Sequence, residues 1–130
     1  HQVRIPAGAA TIHADLTVPV GARGLVLFAH GSGSSRFSQR NRWVASELQY
    51  GRLATLLIDL LTDEEASRDQ LTGEIRFNIH LLARRVVNAI DWAARAPVTG
   101  AVPIGLFGAS TGAAAALYAP APAGAASGRA

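Results

Sequence analysis

The chain of 130 residues contains no cysteine and no methionine. Without cysteine there is no disulfide framework, no thiol nucleophile and no Cys-ligated zinc or iron–sulfur site, and nothing in the sequence reports on redox compartment. Lysine is missing too, so all 12 basic residues are arginine, and against 9 acidic residues they leave a formal charge of +3. A nucleic-acid groove concentrates basic residues on one element and interleaves exposed aromatics. Here the arginines are scattered and aromatics are only 6% of the chain, so nucleic acid is not an expected partner. No apolar stretch approaches the roughly 20 residues that span a bilayer. Runs such as Gly24 to Ala29 and Leu53 to Ile58 have the length of strands. At the start, His1, Gln2 and Arg4 are followed by Pro6 rather than by the continuous apolar core of a signal peptide. The expectation is a cytoplasmic protein without membrane contact. Because the chain begins with His1 and lacks Met, a missing or processed N-terminal segment is also expected.

What is present describes a globular chain about one ordinary domain long: 49% hydrophobic, 16% charged, with 13 Gly and 6 Pro. Alanine occurs 26 times, a bias that points to codon composition more than to mechanism. Val3 to Ile5 reads as extended. Thr11 to Val18 alternates Ile12, Ala14, Leu16 and Val18 with Thr11, His13, Asp15 and Thr17, the period of two of a half-exposed strand near a sheet edge. Gly24 to Ala29 is continuously apolar, as expected for a strand buried on both faces of a parallel sheet. A Gly- and Ser-rich loop from His30 to Gln39 follows, then a helix from near Asn41 to Gly51, a second buried strand from Leu53 to Leu60, and an acidic loop carrying Asp63, Glu64, Glu65, Asp69 and Glu74. Asn78 to Ala96 is the strongest helical segment. Ile79, Leu82, Val86, Ile90 and Ala93 form one stripe, with Arg84, Arg85, Asn88, Asp91 and Arg95 facing away. A third buried strand runs from Ile104 to Phe107 and leads into small residues, Ala113 to Ala116, suited to a helix.

Alternating strands and helices specify an α/β fold, a mostly parallel sheet with helices on both faces and edge-like first strands. The domain is expected over residues 1–118. Residues 119–130, Ala/Pro/Gly-rich and without a large apolar side chain, read as a disordered tail.

Two segments carry chemistry. Gly108-Ala-Ser110-Thr-Gly112 is a G-x-S-x-G pentapeptide placed after a buried strand and before a helix-forming run. That is the context of a nucleophile elbow, where a strained strand-to-helix turn aims a serine hydroxyl at substrate and the amide of the next residue, Thr111, donates to a developing oxyanion. A small-residue turn capping a helix gives the same string. The other segment, His30-Gly-Ser-Gly-Ser-Ser35, follows the first buried strand at the sheet edge where open α/β folds bind ligands. In a hydrolase it supplies the second oxyanion amide, from Gly31 or Ser32. In a nucleotide-binding protein the Gly31–Gly33 turn would cradle phosphate, with Asp59 on a ribose hydroxyl. Arg36, however, stands where the third glycine of that fingerprint belongs.

Together, Ala-His30-Gly-Ser-Gly-Ser-Ser-Arg36-Phe-Ser-Gln-Arg-Asn41-Arg, then Leu-Ala-Thr-Leu-Leu-Ile-Asp59-Leu-Leu-Thr, then Pro103-Ile-Gly-Leu-Phe-Gly-Ala-Ser110-Thr-Gly resemble the α/β-hydrolase superfamily, in its dienelactone-hydrolase-like branch. The resemblance covers about residues 10 to 118. It implies an eight-stranded fold of which this chain holds about five strands as the N-terminal portion. It also implies a Ser-Asp-His triad acting on a small ester or lactone, without cofactor or metal. Ser110 matches the nucleophile, Thr111 one oxyanion donor, and Gly31 or Ser32 the other. The dienelactone hydrolases proper use Cys where this chain has Ser. The acid and base of the family follow later strands, and no match to them stands after Ser110. Serine without an adjacent base is a weak nucleophile, so the chain alone is expected to be nearly inert.

Upstream substitutes are poor. His30 is read as orienting its own loop, and His1, His13 and His80 as surface residues. Asp59 is read as stabilising the loop after its strand or bonding Arg36 or Arg40, not as the triad acid. Arg36 and Arg40, with Arg42, suit an anionic substrate group, or else form a solvated loop and helix face that the acidic loop could neutralise. A non-catalytic half domain remains an alternative, binding a ligand or associating with further copies through the edge of the strand before Ser110.

Overall fold

The computed structural model describes residues 1–29, 36–73 and 78–108. In chain order it contains β1 (Gln2–Ala7), β2 (Ala10–Thr17), β3 (Gly24–Ala29), α1 (Gln39–Tyr50), β4 (Leu53–Ile58), α2 (Asp63–Thr72), α3 (Ile79–Arg95) and β5 (Ile104–Gly108). The strands form one sheet in the order β1-β2-β4-β3-β5. β1 pairs with β2, and β2 with β4, antiparallel, while β3 runs parallel to both β4 and β5. The expected architecture is therefore present, a parallel centre with antiparallel first strands toward one edge.

Side-chain alternation explains why the sheet needs cover on both faces. Leu25, Leu27 and Ala29 of β3 and Ala54, Leu56 and Ile58 of β4 join one core with Leu82, Val86, Ala89, Ile90 and Ala93 of α3. The intervening Phe28 and Leu57 join a second cluster with Ala45 of α1, backed by Val26, Val44, Leu48 and Phe107. Because successive strand side chains point to opposite faces, α3 and α1 lie on opposite sides of the sheet. In β2, Ile12, Ala14 and Leu16 enter the α3 core, while His13 and Asp15 are only half-buried on the other face. That is the polar side expected of an outer strand.

Turns and caps set the boundaries. β1 and β2 are joined by a two-residue connection in which Gly8 has φ +65°, a conformation glycine adopts without steric cost. α1 begins two residues earlier than the apolar rhythm suggests, because the Ser38 hydroxyl accepts the Asn41 amide at 3.3 Å. Between α3 and β5 the buried Thr99 hydroxyl donates to the Ala93 carbonyl at 2.7 Å. A Cβ on Gly100 would come within 2.7 Å of the Ala94 carbonyl oxygen, so that turn closes only around glycine.

Two expectations need correction. Residues 63–72 form a helix, not an acidic loop: Thr62 and Glu65 make a reciprocal capping box, three carboxylates lie in the first turn, and Gly73 ends the helix in the left-handed conformation. Arg85 does not face away with Arg84; it is 5% exposed, because α2 presents Glu65 to it. The run Ala113 to Ala116 and the tail 119–130 lie outside the described residues.

Candidate functional site

Three parallel strands end in one row. Ala29, the last residue of β3, pairs with Ile58 on one side and with Gly108 on the other. Neighbouring strands are about 4.8 Å apart, so the ends of β3 and β5 at Ala29 and Gly108 stand side by side. The chain passes from β3 to β4 on one side and returns to place β5 on the other. In open α/β folds this reversal of strand order is where ligands bind. Beneath the row, on the α1 face, the Phe28 and Phe107 rings meet with centroids 5.0 Å apart and planes tilted by 41°. Gly31, Ser32, Ser110 and Thr111, the residues matched to nucleophile and oxyanion donors, lie outside the described residues, as does His30.

The third member of the row leads into Asp59, which is buried. Its Oδ1 accepts the Arg36 backbone N–H at 2.7 Å, and its Oδ2 accepts from Arg36 Nη1. Arg36 is itself 8% exposed. Its Nε lies 3.5 Å from Asp15 Oδ2 on β2 and makes no hydrogen bond. Arg42, from the first turn of α1, donates to the same Asp15 oxygen at 2.6 Å. The Phe37 ring receives both guanidinium groups, with centroid distances of 4.2 Å to Arg36 and 5.1 Å to Arg42. Arg36 is thus neither a solvated loop residue nor paired with the acidic segment 63–74; β2 and β4 supply its carboxylates. Arg40 is exposed at the start of α1.

The other face of the β4 exit is held differently. Arg85 of α3 donates to the Leu60 carbonyl at 3.0 Å and grips Glu65 with two bonds of 2.8 Å. The Arg85 guanidinium, helped by the Thr62 backbone amide and opposed by burial, holds the Glu65 carboxyl below the usual carboxylate range.

Sequence reasoning named Arg36 and Asp59 as a candidate pair but missed Asp15, Phe37 and Arg85. Asp15 had a signal: on β2 it belongs to the alternating set that excludes Ile12, Ala14 and Leu16, the same face that Asp59 takes just after β4. His1 and His80 are exposed and His13 is half-buried on β2. Among the described residues no group of three or more His, Asp and Glu side chains is arranged to hold a metal ion, and no helix is long and apolar enough to cross a membrane.

Comparison with known proteins gives this geometry its context. No family model matches the chain. A dienelactone hydrolase from Anabaena variabilis is 54% identical in sequence and superposes with a TM-score of 0.89, over 92% of this chain and 55% of that one. Est1E from Butyrivibrio proteoclasticus, at 17% identity, superposes with a TM-score of 0.73 over 91% of this chain and 44% of its own. A protein of Mycobacterium tuberculosis named "Putative phosphoribosyl transferase" is 50% identical over 119 residues, which are 91% of this chain and 26% of that protein. The chain thus spans about half of the solved dienelactone hydrolase and about a quarter of the curated relative. Five strands and three helices in this topology are part of an α/β-hydrolase fold, and the chain belongs to that superfamily. Within it, the chain falls on the dienelactone-hydrolase-like branch.

Proposed function

We propose that this chain carries the nucleophile half of a serine hydrolase that transfers the acyl group of a small ester or lactone through Ser110. The observation that supports this best is the pairing of Ala29 with Gly108, because the two segments bearing the proposed donors and nucleophile start from adjacent positions. In this reading the Ser110 oxygen attacks the substrate carbonyl, forming a C–O bond and a tetrahedral oxyanion. The amides of Thr111 and of Gly31 or Ser32 hold that oxyanion. A histidine base, oriented by an aspartate, takes the serine proton and returns it to the leaving oxygen as the acyl-enzyme forms; water then releases the acid. Both triad partners are assigned to sequence beyond residue 130. Arg40, exposed at the start of α1, is the arginine available to a substrate anion, since the Arg36 guanidinium is committed to Asp59 and Asp15.

The test uses the gene product translated to its natural stop codon, a p-nitrophenyl ester and a fluorophosphonate label. Ser110→Ala is expected to abolish labelling and turnover; unchanged labelling would overturn the assignment.

One observation favours a second reading, a non-catalytic half domain that completes its sheet with a partner or another copy: among the described residues β5 lies at the edge of the sheet. A monodisperse monomer in size-exclusion with light scattering counts against it. The nucleotide alternative loses its ribose acceptor, because the Asp59 carboxylate is taken by Arg36.

A further inference from the structure

We propose that Asp59 is a positioning residue that sets the turnover rate of the hydrolase by fixing where the chain re-enters the fold after residue 35. This rests on the reading that places an oxyanion donor at Gly31 or Ser32. The argument uses only the two ends of that stretch. Its first end is fixed by the sheet, because Ala29 is the register partner of Ile58. Its second end is fixed by the residue that follows Ile58: Asp59 holds the Arg36 backbone N–H through Oδ1 and the Arg36 side chain through Oδ2. Both ends are thus pinned beside two consecutive residues, on main chain as well as side chain.

A buried carboxylate used in this way is poorly explained by stability alone. Desolvating an ion pair costs several kcal/mol per ion, and apolar replacements of similar volume are often no less stable. An aspartate that grips one main-chain N–H fixes backbone position, which an apolar pair cannot do. Backbone position matters to catalysis because oxyanion donors must stand about 3 Å from an oxygen that exists only in the transition state. A displacement of about 1 Å from a residue remote from the chemistry can lower the rate on the order of 100-fold. Arg36 shares the role, and Asp15 and Phe37 steady its guanidinium. The second buried pair, Arg85 with Glu65, acts on α2 and the Leu60 carbonyl from the opposite face and supplies an internal control.

The experiment measures kcat, KM and fluorophosphonate labelling rate per folded molecule in the full gene product. Asp59→Asn, with nearly the volume of Asp59 but without its charge, is expected to lower kcat and labelling roughly 10- to 100-fold while KM stays within about twofold. Glu65→Gln is expected to lower the melting temperature while leaving kcat per folded molecule unchanged. Should Asp59→Asn fail to fold, Asp59→Glu decides the matter, since it keeps the charge but moves the carboxylate that holds the Arg36 N–H by one methylene; its kcat is expected to fall while KM stays within about twofold. Wild-type kcat in Asp59→Asn, or in Asp59→Glu, overturns the positioning role. If Ser110→Ala itself retains labelling, the hydrolase reading has failed, and the Asp59 proposal falls with it for that separate reason.

Discussion

The two faces of the sheet are built on different terms. Toward α3, residues of all five strands and a full helical stripe merge into one core, in which Ile5, Ile12, Leu27, Leu56, Ile58 and Val86 have no exposed surface. Toward α1, the described residues give a small cluster centred on Phe28, Ala45 and Leu57, bordered by the charged group of Arg36, Asp59, Asp15 and Arg42. One face stabilises by area removed from water. The other spends much of its surface on a few directional contacts at the ends of strands. Just beyond β4, directional contacts serve both faces within two residues: Asp59 is held on the α1 face by Arg36, and the Leu60 carbonyl is held by Arg85.

The largest expected effect separates the faces directly. Leu56 and Leu57 are consecutive residues of β4, both buried, pointing in opposite directions. Truncating Leu56 to Ala opens a cavity amid the large core, where collapse is hindered on every side, and is expected to cost about 3–5 kcal/mol in denaturant unfolding. Leu57→Ala opens one in a smaller cluster beside an α1 surface that can settle inward, and should cost nearer 2 kcal/mol. Equal losses from the two would show that the faces contribute alike.

This contrast also governs what the sequence reveals. The α3 face was legible because burial leaves a periodic trace: the runs Gly24 to Ala29 and Leu53 to Ile58, the alternation of β2 and the stripe of α3 all express it. α2 left no such trace. Its residues DEEASRDQLT are mostly polar on every side, so only the Thr62 and Glu65 cap and the following Gly73 announce a helix. Arg85 was misplaced for a related reason, since periodicity assigns a charge outward unless a distant partner neutralises it, and Glu65 lies 20 residues away. At the candidate site, the buried strands that lead toward His30 and Ser110 were legible. The pairing of Arg36 and Asp59 was only one of several options until β4 and β3 were seen to be neighbours. That adjacency is a product of chain crossover, which no local pattern encodes.

A smaller effect concerns the Arg85 grip on the α3 face and its response to acid. Glu65 titrates below its unfolded value because Arg85 binds its charged form. Its contribution is therefore complete above the ordinary carboxylate value of 4.5, and it is lost as the pH falls through the lower folded value. The expected observation is that stability declines on acidification below about pH 4.5, and that Glu65→Gln removes part of this slope while lowering stability at neutral pH. A slope identical in the variant would show that the Arg85 contact is not linked to folding.

The smallest effect lies at the outer rim of the α1 face, and it tests how far the charged group there is cooperative. Arg42 donates to Asp15 at 2.6 Å, but its side chain is 44% exposed. An exposed ion pair contributes about 0–1 kcal/mol, and stacking on Phe37 adds a comparable amount at most. Arg42→Gln is therefore expected to cost less than about 1 kcal/mol, a loss that shrinks further in high salt as the remaining charges are screened. Arg36 shares Asp15 and Phe37 with Arg42, yet its own hold comes from Asp59, which Arg42 does not touch. Removing Arg42 should consequently leave the Arg36 backbone amide as protected from hydrogen exchange as in the wild type. If exchange at Arg36 rises sharply in Arg42→Gln, the four charged residues act as one unit, and the anchoring role belongs to the whole group and not to the Asp59 carboxylate.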